Sequence, residues 1–272
     1  MSASFKYIDI HGHVNFPNFD IDREVVIEQA NNAGVAMITV GTDIVTSTSA
    51  VQLATMHEHM WATVGIHPTE TQVVRSKEKE DSDFESLEHL ARHPKVVAIG
   101  ECGLDYFHSK VEEISKQKEI FEKHIVLAKK VGKPLMLHVR NGKMAGSTSD
   151  IGNAYQDALR ILKKYSDVRA NFHFFAGTLS DLKDITARGY SVSFTGVVTF
   201  TRDYDELVRI APISHIMSET DCPFVPPAPY RGRRNEPVYV IQTIKAIARI
   251  RGENEDTVAQ QMLDNAKKFF KL

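Results

Sequence analysis

Histidine and carboxylate side chains that can bind a divalent metal recur in short motifs along this chain of 272 residues. His11 and His13 are two residues apart, and in a strand such side chains point to the same side, so both rings can reach one cation. Imidazoles combined with carboxylates suit Zn²⁺, Mn²⁺, Fe²⁺ or Ni²⁺ better than Ca²⁺. The candidate metal ligands are His11, His13, Glu101, His138, His173 and Asp221.

These ligands are numerous enough to accommodate two metals. A pair of ions roughly 3.5–4 Å apart can activate a water and clamp a phosphoryl or acyl oxygen. Glu101 is the natural bridging carboxylate for such a pair, and Asp221 can bind a metal while it accepts a proton from the attacking water. The residues therefore predict a metal-dependent hydrolase with Glu101 and Asp221 as its catalytic carboxylates.

The elements that must position these side chains are visible as short apolar runs separated by helical patterns. Most of the runs are continuous rather than alternating, which is typical of strands buried on both faces of a parallel sheet. The predicted strands are residues 5–11, 35–41, 61–67, 96–101, 135–139, 168–175, 190–195 and 215–220. The predicted helices are residues 23–33, 116–131, 153–165, 179–188, 238–250 and 255–270.

Eight strands that alternate with helices over this length predict a (β/α)₈ TIM barrel of the metal-dependent hydrolase type, with extra C-terminal helices. We expect residues 1–272 to form one domain, and a doubly wound open sheet is the alternative. The polar stretch 75–83 and the loop 141–150 are interpreted as surface excursions. The second follows a strand directly, where barrel enzymes place substrate loops.

Position supports the metal site more strongly than spacing does. Every candidate ligand falls at the predicted C-terminal end of a strand, which is the face where barrel active sites form. His57 and His59 have the same spacing as His11 and His13, but they precede the third strand. We interpret this second pair as an exposed helix end at the opposite rim.

Composition narrows the classes of protein that fit. The formal net charge is −2, which argues against a protein that coats nucleic acid but not against a nuclease that grips one strand end. We expect a cytoplasmic protein without a signal peptide or membrane span, and no stable protein partner is evident. Cys102 and Cys222 suit a reducing compartment, and we interpret both as packed structural thiols.

Seven motifs, spread over essentially the whole chain, resemble the TatD family of metal-dependent deoxyribonucleases within the amidohydrolase-like barrels. They are IDIHGH at 8–13, VGIHP at 64–68, AIGECGLDY at 98–106, PLMLHVR at 134–140, FHFFAG at 172–177, SETDCPF at 218–224 and GRRNEP at 232–237. The sequence departs from the family at Asn141, where an acidic residue is common, and at residues 174–176. These departures leave the candidate ligands intact.

The resemblance implies two divalent ions, with Mg²⁺, Mn²⁺ or Zn²⁺ as candidates. It implies 3′→5′ cleavage of DNA, at a single strand or a strand end. One ion would be held by His11, His13, Glu101 and Asp221, and the other by Glu101, His138 and His173. His67 resembles a family position that contacts the substrate phosphate.

Three arginines are further candidates for phosphate contacts. Arg140 lies two residues beyond His138 and should point to the same side. Arg233 and Arg234 belong to a basic cluster whose guanidinium groups can clamp phosphates. Asp105 either orients the site from the loop after the fourth strand or caps that turn.

Three hypotheses remain open from the sequence. The first is two-metal hydrolysis of DNA. The second is ester or amide hydrolysis on the same scaffold, for example deacylation of mis-charged tRNA, because a fold does not fix a substrate. The third is a binding module that is not an enzyme, which the full set of six ligands disfavours.

Overall fold

The structure is a computed structural model that describes residues 5–72, 76–142 and 152–272. Its eight strands are parallel and pair in chain order from the first to the eighth. The predicted (β/α)₈ barrel is thereby confirmed. The strands are β1 (Tyr7–Gly12), β2 (Val35–Val40), β3 (Met60–Val64), β4 (Val96–Asp105), β5 (Leu135–Arg140), β6 (Ala170–His173), β7 (Ser191–Phe194) and β8 (Ile216–Ser218).

Strand β4 continues four residues beyond its predicted end at Glu101, because two glycines let it lie very close to β5. A Cβ atom at Gly100 would come within 2.3 Å of the Met136 carbonyl oxygen, and one at Gly103 within 2.1 Å of the His138 carbonyl oxygen. Both glycines have positive φ, 151° and 136°, which L side chains rarely adopt. This close approach brings Glu101 beside β5.

The helices surround the sheet. Three helices of the described ranges were not predicted from the sequence, namely α2 (Ile44–Met56), α3 (Lys77–Ala91) and α7 (Asp205–Ile210). Helix α2 is rich in Thr, Ser and Val, which are weak helix formers, and a capping box between Asp43 and Thr46 stabilises its start. The helices are α1 (Arg23–Asn32), α2 (Ile44–Met56), α3 (Lys77–Ala91), α4 (Val111–Val131), α5 (Ala154–Leu162), α6 (Leu179–Ala187), α7 (Asp205–Ile210), α8 (Val240–Arg251) and α9 (Glu255–Phe270).

The interpretation of stretch 75–83 as a surface excursion needs correction, because α3 begins at Lys77. The Ser76 side chain caps this helix by accepting a hydrogen bond from the Lys79 N–H at 3.2 Å. Glu80 and Asp83 are buried against the fold. Of the predicted loop 141–150, residues 143–150 lie outside the described residues.

The barrel closes where β8 meets β1, along a line that we call the seam. The Asp221 N–H donates to the His11 carbonyl oxygen at 2.8 Å, and the His13 N–H donates to the Cys222 carbonyl oxygen at 2.7 Å. These hydrogen bonds lie just past the strand ends and join the beginning of the barrel to its last strand. The seam therefore holds three of the six candidate ligands.

The C-terminal helix α9 packs against the barrel interior. Its residues Leu263, Ala266 and Phe270 form one apolar cluster with residues of the strands, including Ile8 and Met217. A second, larger cluster fills the layer between the strands and the outer helices. No helix in the described ranges combines the length and the apolar composition needed to cross a membrane.

Candidate metal centre

The structure brings the six predicted metal-competent side chains together at the carboxyl end of the barrel. His11 and His13 lie at the end of β1, His138 lies in β5, and His173 is the last residue of β6. Asp221 follows β8 by three residues, and its Oδ1 lies 3.4 Å from His13 Nε2 and 3.8 Å from His11 Nε2. The convergence predicted from strand ends is therefore present in the fold.

Glu101 lies at the middle of this group, and its two oxygens face different neighbours. Oε2 lies 3.4 Å from His11 Nε2 and 3.8 Å from His13 Nε2. Oε1 lies 2.8 Å from His173 Nε2 and 3.0 Å from His138 Nδ1. A carboxylate with one oxygen directed at each of two histidine groups has the arrangement that a bridging ligand requires.

The hydrogen bonds of His13 leave one ring nitrogen available to a metal. His13 Nδ1 lies 3.1 Å from the Val40 carbonyl oxygen, which only accepts, so Nδ1 carries the proton. The lone pair then resides on Nε2, the atom that faces Glu101 and Asp221. A partner that fixes the tautomer in this way is typical of metal-binding histidines.

His11 gives the clearest test of whether a cation fits. Its ring is fully buried, and neither Nδ1 nor Nε2 makes a hydrogen bond. Buried polar atoms without partners are rare because losing their hydration is costly. A divalent ion at Nε2, between the carboxylates of Glu101 and Asp221, would remove that cost.

The electrostatics of the centre follow from buried carboxylates that lie among several imidazoles. Burial alone would raise the pKa of Glu101, but His173, His67 and His11 outweigh it and hold this pKa well below its usual range. Burial likewise acts to lower the pKa of His173, and the carboxylates of Glu101 and Glu219 raise it well above its ordinary value. Glu101 is therefore favoured as an ionised carboxylate, which is the form that binds a cation.

Asp105 fills both of the roles weighed from the sequence. It caps the turn after β4 by accepting hydrogen bonds from the N–H groups of Phe107 and His108, at 2.8 and 2.9 Å. Its Oδ2 also lies 3.0 Å from His138 Nε2. His138 is thus held at both ring nitrogens, by Glu101 on one side and Asp105 on the other.

Glu219 is a residue of this centre that the sequence analysis left without a role. It is fully buried, and it accepts hydrogen bonds from Phe174 N at 2.6 Å and Ser193 Oγ at 2.7 Å. Its Oε1 lies 3.5 Å from His173 Nδ1, which makes no hydrogen bond within the described residues. With His11 and His173, Glu219 also forms a group whose ligand atoms lie close enough together to hold a metal ion. Its spacing of two residues from Asp221 was the available signal.

Three residues that line the centre have a left-handed backbone. Phe174, Asp221 and Val225 have φ values of 44°, 57° and 44°. Such conformations cost about 1–3 kcal/mol each in residues other than glycine and cluster at functional sites. At Phe174 the hydrogen bond to Glu219 stabilises the turn.

A cavity of about 920 Å³ opens above the candidate ligands, and its lining includes His67 and Arg140. His67 Nε2 lies 3.4 Å from Glu101 Oε1. The Arg140 guanidinium lies 4.0 Å from the ring centre of Phe107 and is exposed. Two of the four predicted substrate contacts therefore face the same space as the candidate ligands.

The other two predicted substrate contacts lie elsewhere. The Arg234 guanidinium pairs with both carboxylate oxygens of Asp22, at 2.8 and 2.7 Å, and with Glu236 at 3.1 Å. The guanidinium carbon of Arg234 also lies over the ring of Phe19, 4.4 Å from the ring centre. Arg233 is exposed, and among the described residues neither arginine lines the cavity.

The remaining histidines and cysteines near these motifs differ in how they relate to the centre. His57 follows α2 and lies 3.4 Å from Glu24, at the rim opposite the candidate ligands. His108 lines the cavity and contacts Asp105 at 2.9 Å. Cys102 and Cys222 are fully buried, and burial raises the pKa of each thiol well above its ordinary value.

Comparison with known proteins gives matches along nearly the whole chain. The model of the family described as TatD related DNase matches residues 8–271. The metal-dependent hydrolase YabD of Bacillus subtilis is 34% identical over 269 residues, which cover 97% of this chain and 98% of the relative. The 3′-5′ ssDNA/RNA exonuclease TatD of Erwinia amylovora is 32% identical over 275 residues, covering 97% and 99%.

Solved structures agree with these sequence matches. The crystal structure of a TatD homolog from Escherichia coli K12 superposes with a TM-score of 0.86 at 26% identity, covering 98% of each chain. A TatD family hydrolase from Entamoeba histolytica superposes with a TM-score of 0.83 at 21% identity and covers 99% of each chain. The second likeness shows a common fold.

Proposed function

The chain belongs to the family of TatD-related DNases, which makes it a metal-dependent hydrolase, and we propose that it cleaves nucleic-acid phosphodiester bonds. More specifically, it acts as a 3′-5′ exonuclease on single-stranded DNA. The observation that carries the proposal is the position of Glu101, with one oxygen directed at each of two histidine groups. A relative of the same length is named a 3′-5′ ssDNA/RNA exonuclease.

The proposed centre holds two divalent ions, with Mg²⁺, Mn²⁺ or Zn²⁺ as candidates. The unpartnered nitrogens of His11 and the free Nε2 of His13 support this assignment. When bound, the ions would supply activation of a water and stabilisation of the charge that develops on the phosphate. One set of ligands is His11, His13, Glu101 and Asp221, and the other is Glu101, His138 and His173.

Asp221 is the residue that accepts the proton of the attacking water. Burial would raise the pKa of its carboxyl, but the neighbouring imidazoles of His13, His11 and His173 hold this pKa below its usual value. The carboxylate is therefore ionised at neutral pH and able to take a proton. The Asp221 N–H is tied to the His11 carbonyl oxygen across the seam, which fixes its position.

His67 holds the phosphate as a hydrogen-bond donor. Its Nδ1 accepts from the Thr69 N–H at 3.2 Å, so in the neutral ring Nε2 carries the proton and has no lone pair for a metal. That N–H points toward Glu101 and the cavity. Arg140 contributes a guanidinium to the same space and can bind a second phosphate oxygen.

The overall charge supports action at a strand end rather than along a duplex. The net charge is −2, and each phosphate contact along a duplex needs a cation on the protein to release counterions. Arg140 is the arginine that lines the cavity within the described residues. A protein with this distribution grips few phosphates at a time, as an exonuclease does.

A screen of metals against substrates tests the proposal. The protein is stripped with a chelator, reloaded with Mg²⁺, Mn²⁺ or Zn²⁺, and assayed on end-labelled single-stranded DNA, duplex DNA, RNA and an aminoacyl ester. We expect stepwise release of nucleotides from the 3′ end of the single strand, and none without metal. Turnover of the aminoacyl ester with no nucleotide release would instead support a deacylase of mis-charged tRNA.

A further inference from the structure

The cavity above the candidate ligands has two chemically different walls. Because the strands follow one another in order around the barrel, loops after β6, β7, β8 and β1 form one side and loops after β3, β4 and β5 form the other. The first side, which we call the aromatic wall, consists of Phe16, Phe174, Tyr204 and Phe224, with Val225 beside them. The second, the polar wall, consists of His67, Thr69, Glu70, Asp105, His108 and Arg140.

The aromatic wall begins directly at the candidate ligands. The ring of Phe16 stacks on His13 with centroids 4.4 Å apart, and the ring of Phe224 lies edge-on to His13 at 6.1 Å. Phe174 lies 6.5 Å from His173. A group that rests on this wall would therefore lie beside the candidate ligands His13 and His173.

The side chains of the aromatic wall are more exposed to solvent than phenylalanine side chains usually are in folded proteins. Phe224 is 48% exposed, and Phe16, Phe174 and Tyr204 are partly exposed. Phenylalanine is among the residues most often buried, so several partly exposed aromatic rings around one cavity indicate a surface that binds a ligand.

The backbone holds part of this wall in conformations that side chains rarely adopt. Phe174 and Val225 both have φ of 44°, and they lie in different loops, after β6 and after β8. The hydrogen bond from the Phe174 N–H to buried Glu219 stabilises the first of these turns. Strained residues that face a cavity suggest that their direction serves a function.

We propose that the aromatic wall is a stacking surface for the terminal nucleobases of a single strand. The sugar-phosphate backbone then lies along the polar wall, where His67 and Arg140 contact phosphate. This inference rests on the proposed nuclease function and adds how the substrate is held. Every base has a π-face, so the surface accepts any sequence, whereas bases in a duplex are already stacked and paired.

The test compares Phe224→Ala with the wild type on two strands of equal length. One strand is ordinary DNA, and the other lacks the bases of its last three nucleotides. On ordinary DNA the substitution is expected to raise KM roughly 5- to 140-fold, the range that loss of one base–aromatic stack gives. On the abasic strand this penalty should disappear, because no base is present to stack.

Two further variants keep the result interpretable. Phe200→Ala is the matched control, since Phe200 is also an exposed phenylalanine, at 43%, but stacks on Arg231 outside the cavity lining. It should leave KM for both strands at the wild-type values. Phe224→Trp keeps an aromatic face and should restore binding of ordinary DNA, which a folding defect at this position would not allow.

Fluorescence gives a direct readout of stacking. A strand with 2-aminopurine at its 3′ end, bound to Asp221→Asn so that it stays intact, should be quenched, and Phe224→Ala in that background should relieve the quenching. Equal KM penalties on both strands, or unchanged quenching, would overturn the stacking surface while leaving the nuclease proposal intact. If the wild type released no nucleotide from any nucleic acid, both proposals would be wrong.

Discussion

The imidazole rings of His11 and His173 lie face to face, with centroids 3.8 Å apart and an angle of 5° between their planes. They come from β1 and β6, which are not neighbours in the sheet, so the contact spans the barrel interior. One ring belongs to each of the two proposed ligand sets. The stack therefore joins the two proposed ligand sets, as Glu101 also does.

Glu101→Gln should remove more metal than any single histidine substitution. The amide keeps the size of the side chain but loses the charge that both histidine groups face. We expect the metal content per chain, measured by mass spectrometry of the metal-loaded protein, to fall for both ions together. Glu85→Gln, at an exposed position of α3, is the control and should bind metal as the wild type does. Retention of two ions in Glu101→Gln would show that this residue is not the bridge.

Asp221→Asn should keep metal but lose nearly all cleavage. The amide oxygen can still bind an ion, but the group no longer accepts a proton, and such a loss typically lowers kcat about 10²- to 10⁴-fold. The measurement is kcat on single-stranded DNA beside the metal content of the same sample. Asp203→Asn, an exposed aspartate outside the cavity lining, should be fully active. Full activity of Asp221→Asn would refute the assigned role.

Glu219 is expected to act through His173, so its variants should separate by which contacts they keep. Glu219→Gln retains an oxygen that can accept from Phe174 N, whereas Glu219→Ala loses this contact and the one with Ser193. Loss of such a supporting partner typically weakens metal affinity about 10- to 100-fold. Metal titrations should rank the wild type first, then the glutamine variant, then the alanine variant. Equal affinities in all three would leave Glu219 as a packing residue.

Arg140 and Arg234 should separate substrate binding from stability. Arg140→Ala is expected to raise KM for DNA without changing the melting temperature, because the guanidinium is exposed beside the cavity. Arg234→Ala should instead lower stability by about 1 kcal/mol, or roughly 2–4 °C, since it loses a partly exposed pair with Asp22. Thermal melts and steady-state kinetics of the two variants decide this. A raised KM with an unchanged melting temperature in Arg234→Ala would instead indicate that Arg234 contacts phosphate.

The buried imidazole of His124 should make the free energy of unfolding depend on pH. It is fully buried in α4, and burial lowers its pKa from 6.5 to about 4. Between these values the unfolded chain binds a proton that the folded chain does not, so stability falls as pH falls from 6.5 to 4. The full loss is about 3 kcal/mol. The stability of His124→Gln should depend less on pH in this window, and that of exposed His89→Gln should match the wild type.

His124 also holds the loop that carries His67 in place. His124 Nδ1 donates to the Ile120 carbonyl oxygen at 2.8 Å, so Nε2 is free to accept from the Ile66 N–H at 3.0 Å. This bond ties the loop that carries His67 to α4. If acid protonates His124, Nε2 can no longer accept, and the loop should loosen in the same pH window.

The sequence was sufficient for the barrel and for the convergence of the ligands, because both follow from local patterns. Continuous apolar runs identified all eight strands, and the strand ends placed His138 and His173 on one face. Helix α2 was missed because its Thr and Ser residues weaken the helical pattern, and packing against the sheet overrides that preference.

What the sequence did not provide were contacts between residues far apart in the chain. The role of Glu219 depends on Phe174 and Ser193, which reach it only in the closed barrel. The engagement of Arg234 by Asp22 is equally non-local. A basic cluster has the same appearance in sequence whether it faces a substrate or an acidic neighbour.

The seam also determines when the chain can first become active during its own synthesis. His11 is synthesised before the second strand, but its partner across the seam, Asp221, is added only after all eight strands. At about 5–20 residues per second, some 10–40 s pass between the addition of His11 and that of Asp221. A nascent chain therefore has no complete centre, and neither does a product truncated before β8. A nuclease built this way cannot cut nucleic acid while most of it is still being made.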